Sequence, residues 1–186
     1  MRKCASMLLL VLAIPTVGHA QAPPGNNAQA KPENSRQANR PEIPENKISG
    51  TLHCDNPGSS HTIEVGDRPG HSLTLGQVKC TWTKPLEIAG IKSKDGVSTV
   101  FNEVMGNTAR IIGYHVTHMA NSDGLFVRYQ GMANLKDGVA QGEEGRWSFG
   151  SGNGKLKGLR GQGTYKCTSS GEGSTCEIEG EYMLPK

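Results

Sequence analysis

The chain of 186 residues carries 20 Lys+Arg against 17 Asp+Glu, a net charge of +3, with 34% hydrophobic and only 5% aromatic residues. The excess lies outside the body of the sequence: Arg2 and Lys3 sit at the N-terminus, Lys31, Arg36, Arg40 and Lys47 face Glu33, Glu42 and Glu45, and from Ile48 onward the balance is 14 against 14. A domain of zero net charge lacks the broad basic field of a non-specific nucleic-acid binder, so no nucleic-acid partner is expected.

Met1 to Ala20 has the pattern of a secretory signal. Arg2 and Lys3 form the basic region, Met7 to Val17 the apolar core, and Gly18-His19-Ala20 the small-residue end, with cleavage expected after Ala20 rather than after Ala22, which precedes Pro23. The apolar run is far shorter than the roughly 20 residues a membrane span needs, so no transmembrane segment is expected. Cys4 precedes the apolar core and is badly placed to accept a lipid. The predicted location is periplasmic or secreted.

Residues 21–47 are rich in Pro, Asn, Gln and Ala and hold almost no large apolar side chain. Such a segment cannot bury enough surface to offset its ordering entropy, and it reads as a disordered polar linker. A single domain, 48–186, follows.

From Ile48 the pattern is short and alternating. In Cys176 to Leu184, the residues Cys176, Ile178, Tyr182 and Leu184 share one parity and Glu177, Glu179 and Glu181 the other, the mark of a strand with one dry and one wet face. Further strands are expected at Ile48–Cys54, His61–Val65, Ser72–Thr83, Leu86–Ile91, Val97–Met105, Thr108–His118, Leu125–Leu135, Gly145–Phe149 and Thr164–Cys167. Within Ser72–Thr83 the apolar parity switches from Leu73 and Leu75 to Val78, Cys80 and Trp82, which predicts a bulge at Gly76. Asn121 to Gly124 and Lys136-Asp137-Gly138 read as hairpin turns. No segment shows ten residues of helical periodicity, and 25 glycines weigh against long helices. The fold class is therefore all-β: a small closed or nearly closed antiparallel barrel of about eight strands, with a β-sandwich as the alternative.

Four cysteines lie beyond the signal: Cys54, Cys80, Cys167 and Cys176. An even number in an oxidising compartment reads as disulfides, and four cysteines allow three pairings. Cys167 and Cys176 flank a short loop, so adjacent strands would bring them together; Cys54 and Cys80 then remain for each other. No C-x-x-C occurs, which speaks against zinc, and no metal or other cofactor is expected.

The densest motif runs from Trp147 to Tyr165 and includes Gly150, Gly152, Gly154, Gly158, Gly161 and Gly163. A phosphate-cradling loop would need a helix opening directly after the glycines, whereas Leu156 and Leu159 lead into more glycine and another strand. This stretch resembles the C-terminal strand pair of allene oxide cyclase and dirigent-type barrels. More of the chain, from Cys80-Thr81-Trp82 through Gly145-Arg146-Trp147 to Glu179-Gly180-Glu181-Tyr182, resembles an uncharacterised family of exported bacterial β-barrel proteins. The resemblance implies a barrel with an apolar interior and no catalytic residue.

The best-placed polar residues are His115 and His118, followed across a hairpin by Arg128 and Tyr129. The two histidines have opposite strand parity and cannot chelate together. His115, Arg128, Tyr129 and Glu103 are the candidate ligand-binding residues, with His115 and Arg128 expected to meet across the strand pair if register allows. Each also has a plain reading: Arg128 and Glu103 on the solvated face, His115 a satisfied core group. The sequence favours a non-enzymatic barrel holding a small apolar or amphipathic ligand, over an isomerase or cyclase acting inside the barrel and over a structural or adhesive envelope module. It does not indicate an oligomeric state.

Overall fold

The structure is a computed structural model that describes residues 46–185. The expected signal segment, its cleavage site and the linker up to residue 45 lie outside the described residues. Ten strands follow one another: β1 (Asn46–Asp55), β2 (Ser59–Glu64), β3 (His71–Lys84), β4 (Glu87–Ile88), β5 (Ile91–Met105), β6 (Thr108–Met119), β7 (Gly124–Lys136), β8 (Val139–Gly152), β9 (Arg160–Ser170) and β10 (Gly173–Met183). A single 3-10 turn at Gly154–Leu156 joins β8 to β9.

All pairings are antiparallel. Strands β5 to β10 form a continuous meander; β10 then pairs with β1, β1 with β3, and β3 with β5, which closes a ring of eight. β2 and β4 stand outside the ring, on β3 and β5 respectively. Closure removes the free edges that an open sheet of this length would present to other chains.

Alternation puts the walls in place. In β6, Ala109, Ile111, Gly113, His115, Thr117 and Met119 are buried, while Thr108, Arg110, Tyr114, Val116 and His118 are exposed. The β7–β8 turn falls where turn chemistry predicts it: Asp137 and Gly138 join the strands with φ of 52° and 78°, the pair of positive values a type I′ hairpin turn demands.

The two disulfides are Cys54–Cys80 and Cys167–Cys176, with Cα–Cα distances of 4.0 and 3.9 Å. Each joins residues directly opposite each other in register. The second clamps a hairpin. The first fastens β1 to β3, a contact that no tight turn enforces, and it closes the larger loop, 26 residues against 9.

One local expectation is overturned. β3 passes through Gly76 in unbroken register with both β2 and β5, so no bulge occurs there. The apolar parity switches because the wall's task changes. Toward the turn ends, β3 presents Ser72, Thr74 and Gly76 to the interior, and Leu75 is 54% exposed outside. Toward the other end Val78, Cys80 and Trp82 face in. The register shifts that do occur lie between Thr51 and Leu52, Ser93 and Asp95, Phe126 and Val127, and Asn134 and Leu135.

The ends of the barrel differ. At one end Leu86, Ile88, Met119, Leu125, Leu156 and Leu159 pack into a floor, all at most 3% exposed. Its loops are stitched together: the Gly124 amide donates to Asn153 Oδ1 at 2.6 Å, the Lys155 amide to Asp123 Oδ2 at 2.9 Å, and the Ala89 amide to the Tyr182 hydroxyl at 3.1 Å. Burying each large apolar side chain there contributes roughly 1.5–3 kcal/mol. The opposite end carries the turns around Gly70, Gly106, Gly138 and Gly171, and no comparable cluster among the described residues.

Candidate functional site

Between the floor and the turn end the barrel encloses a cavity of about 760 Å³. It reaches from Leu86, Trp82 and Phe149 up to Gly70, Gly106, Gly138 and Gly173 at the turns. Its volume falls within the roughly 300–1,000 Å³ typical of small-molecule sites, and eight strands are enough to hold one small ligand.

The space exists because the interior aromatic rings lie flat on glycines of neighbouring strands. A Cβ at Gly113 would meet the Tyr129 ring, one at Gly145 or Gly131 would meet Tyr165, and one at Gly163 or Gly180 would meet Trp147. With no side chain on those glycines, each ring lies across the wall instead of projecting over the axis. Trp147 is further fixed by its indole N–H, which is shared between the Thr164 and Glu179 carbonyls at 3.2 Å each.

A connected series of polar groups runs through this wall. Ser98 Oγ lies 2.8 Å from His115 Nδ1, a hydrogen bond, and adjoins the Tyr129 hydroxyl. The Tyr129 ring meets the Tyr165 ring edge-on at 5.8 Å. The Tyr165 hydroxyl donates to Glu143 Oε1. Burial lowers the His115 pKa to about 4, helped by the charge of His118. The imidazole is therefore neutral at physiological pH. Burial raises the Glu143 carboxyl above its ordinary range, and the Tyr165 hydrogen bond partly offsets this. Both tyrosine hydroxyls are raised, chiefly by burial and further by the neighbouring Glu143 charge.

The expected site residues separate into two pairs. His115 and Tyr129 are on the cavity wall. His115 packs its other nitrogen, Nε2, against Gly96: a Cβ there would sit 2.7 Å from it. With Nδ1 bonded to Ser98 and the ring edge-on to Trp82 at 6.4 Å, the histidine is a wedged wall group. Arg128 and Glu103 are outside. His115 is opposite Val127, and Arg128 is opposite Tyr114 on the exposed face. The shared His115–Arg128 site does not form, because side chains one position apart on a strand emerge on opposite faces. Glu103 has the same outward parity and belongs to a different cluster: its Oε1 is 3.4 Å from His71 Nε2, and His71 Nδ1 is 2.6 Å from Asp67 Oδ1 in the turn between β2 and β3.

Sequence reasoning missed Glu143, Tyr165 and Ser98. Glu143 fell in a gap because the strand was expected to begin at Gly145, whereas β8 begins at Val139. Parity would have found it: Glu143 lies two and four positions from inward Gly145 and Trp147, and it stands opposite inward Ala133 and Cys167.

No candidate metal site of three or more His, Cys, Asp or Glu side chains occurs among the described residues. No helix among them is long and apolar enough to cross a membrane.

No family model and no curated protein matches the chain. Among solved structures, a pterocarpan synthase dirigent protein shares 13% identity and a TM-score of 0.44, covering 86% of this chain and all of that one. A conserved protein of unknown function from Rhodopseudomonas palustris shares 10% identity and a TM-score of 0.41, covering 76% of this chain and 99% of its own. Identities this low bear on no residue's role.

Proposed function

We propose that this is an exported protein, periplasmic or secreted, whose barrel holds one small apolar or amphipathic ligand without transforming it. The observation that carries the reading is the cavity of about 760 Å³, walled by Trp82, Val100, Val127, Tyr129, Trp147 and Phe149. A purely structural module has no use for such a space, since filling it would stabilise the protein. The N-terminal signal pattern and the two disulfides support export. His115 and Tyr129 serve as polar parts of the wall; Arg128 and Glu103, outside it, take no part.

A second reading, an isomerase or cyclase, has one observation in its favour: a carboxyl group hydrogen-bonded to a tyrosine hydroxyl inside an apolar cavity can exchange a proton with a bound molecule.

The binding reading is tested with N-phenyl-1-naphthylamine, an uncharged apolar fluorophore. The chain has two tryptophans, Trp82 and Trp147, and both line the cavity. Saturable binding of one dye per protein, with energy transfer from tryptophan, is the expected result. Unsaturable uptake, or dye emission without transfer, would remove the proposal.

A further inference from the structure

The lining of the cavity is lopsided in charge. It contains Asp55 and Glu143 and, among the described residues, no lysine and no arginine. Its histidine, His115, is neutral and held by Ser98. An acidic ligand such as a fatty acid would meet two carboxylates and no cation.

Glu143 sits among Ala133, Cys167 and Tyr165, and no Lys, Arg or His of the described residues lies within ion-pair distance of it. Its protein partner is the Tyr165 hydroxyl. A carboxylate has about four acceptor sites, so one donor leaves most of its capacity unused. Glu143 is half-buried with no counter-charge beside it, so a ligand that brings a cation and further donors gains charge-assisted hydrogen bonds there. The edge-on rings of Tyr129 and Tyr165 flank the same region, and their π faces attract cations. Asp55, exposed where the cavity reaches the turns, adds negative potential at the entrance.

We propose that the ligand is a lipophilic amine: an apolar body occupying the space between Trp82, Trp147 and Phe149, and a protonated nitrogen donating to Glu143 beside the Tyr129 and Tyr165 ring pair. This rests on the reading that the cavity binds a small molecule and names its class. Neither aromatic fit nor volume alone would separate an amine from an alcohol; a carboxylate with no cationic partner does.

The test uses three probes with one ring system, 2-(naphthyl)ethylamine, 2-(naphthyl)ethanol and naphthylacetic acid, each competing with N-phenyl-1-naphthylamine for the purified protein. The amine is expected to displace the dye at concentrations about tenfold below the alcohol, a typical margin for a desolvated cation with a carboxylate and aromatic faces, and the acid to be weakest. Glu143→Gln should bring the amine to the level of the alcohol, both read against the variant's own dye affinity. Glu144→Gln, one residue away on the exposed face, should leave the order unchanged. An amine no better than the alcohol, or an advantage that survives Glu143→Gln, overturns the inference while leaving the cavity reading intact. Failure of the dye itself to bind overturns the cavity reading and this inference with it.

Discussion

The two ends of the barrel are made from the same strands and do opposite things. The floor is built from side chains that loops and strand ends push inward, with Ile88, Leu125 and Leu156 fully buried. Toward the turns the same strands present Ser72, Thr74, Asn102, Glu143, Ser169 and Ser174 around open space. One end closes the molecule and supplies its cohesion, and that cohesion lets the other end keep a cavity and a carboxylate without a counter-charge. If the cavity binds as proposed, stability and recognition lie at different heights of one sheet, so that substitutions should separate them.

The largest effect should come from the floor. Leu125→Ala or Ile88→Ala leaves a hole among side chains that cannot collapse into it, and should cost about 2–5 kcal/mol by urea unfolding. Naphthylamine affinity, measured where the protein is still folded, should be unchanged. A floor substitution that abolished binding without lowering stability would erase the division between the two ends.

The two disulfides differ in the length of chain they order. Closing 26 residues should contribute roughly 3–4 kcal/mol and closing nine roughly 2–3 kcal/mol on the loop-entropy account. Replacing Cys54 and Cys80 together by serine should therefore lower the melting temperature more than replacing Cys167 and Cys176. The reverse order would mean that the β1–β3 junction is held mainly by packing.

Acid should act through the cavity wall. His115 is neutral in the fold with a pKa of about 4, against 6.5 for the ordinary group. Between these values the unfolded chain binds the additional proton, so stability is full above pH 6.5 and is lost as pH falls toward 4, by up to about 3 kcal/mol. The raised Glu143 carboxyl acts with the opposite sign, since it gains protons more readily in the fold, and it blunts the loss. Unfolding free energies measured across this range should fall with acid in the native protein, and the fall should be shallower in His115→Gln. A native profile that rises toward pH 4 would mean that the imidazole is reached by solvent.

The smallest effect belongs to the outer face. Arg128 is exposed and faces away from the cavity, so Arg128→Ala should change stability by less than about 0.5 kcal/mol and leave probe affinity unaltered. A clear loss of binding would put the site on the outer wall.

Much of the architecture was legible in the sequence because it is written in short-range signals. The Cys176–Leu184 alternation, the Lys136-Asp137-Gly138 turn and the loop between Cys167 and Cys176 each contain their own explanation. The site was less legible, for three physical reasons. Whether Arg128 or Tyr129 faces inward depends on register across the hairpin, and both parities of β7 carry apolar residues: Leu125, Val127 and Tyr129 on one, Phe126 and Met132 on the other. A cavity inverts the usual rule, so that in β3 the inward residues near the turns are polar and Leu75 is outside. Finally, the glycines that make room for the rings look like bends until the neighbouring strand is in place; Gly113 accommodates Tyr129, sixteen positions along the chain and directly opposite in register.

Binding in the interior and binding on the outer surface are told apart by one substitution made at two places. Val100 lines the cavity at mid-height, while Arg128 points outward. Val100→Trp and Arg128→Trp should both keep the strand-rich circular dichroism of the native protein. Titrated with N-phenyl-1-naphthylamine and followed by the dye's own emission, Val100→Trp should lose saturable binding, and Arg128→Trp should bind one dye with native affinity. Equal binding by the two variants would contradict the account.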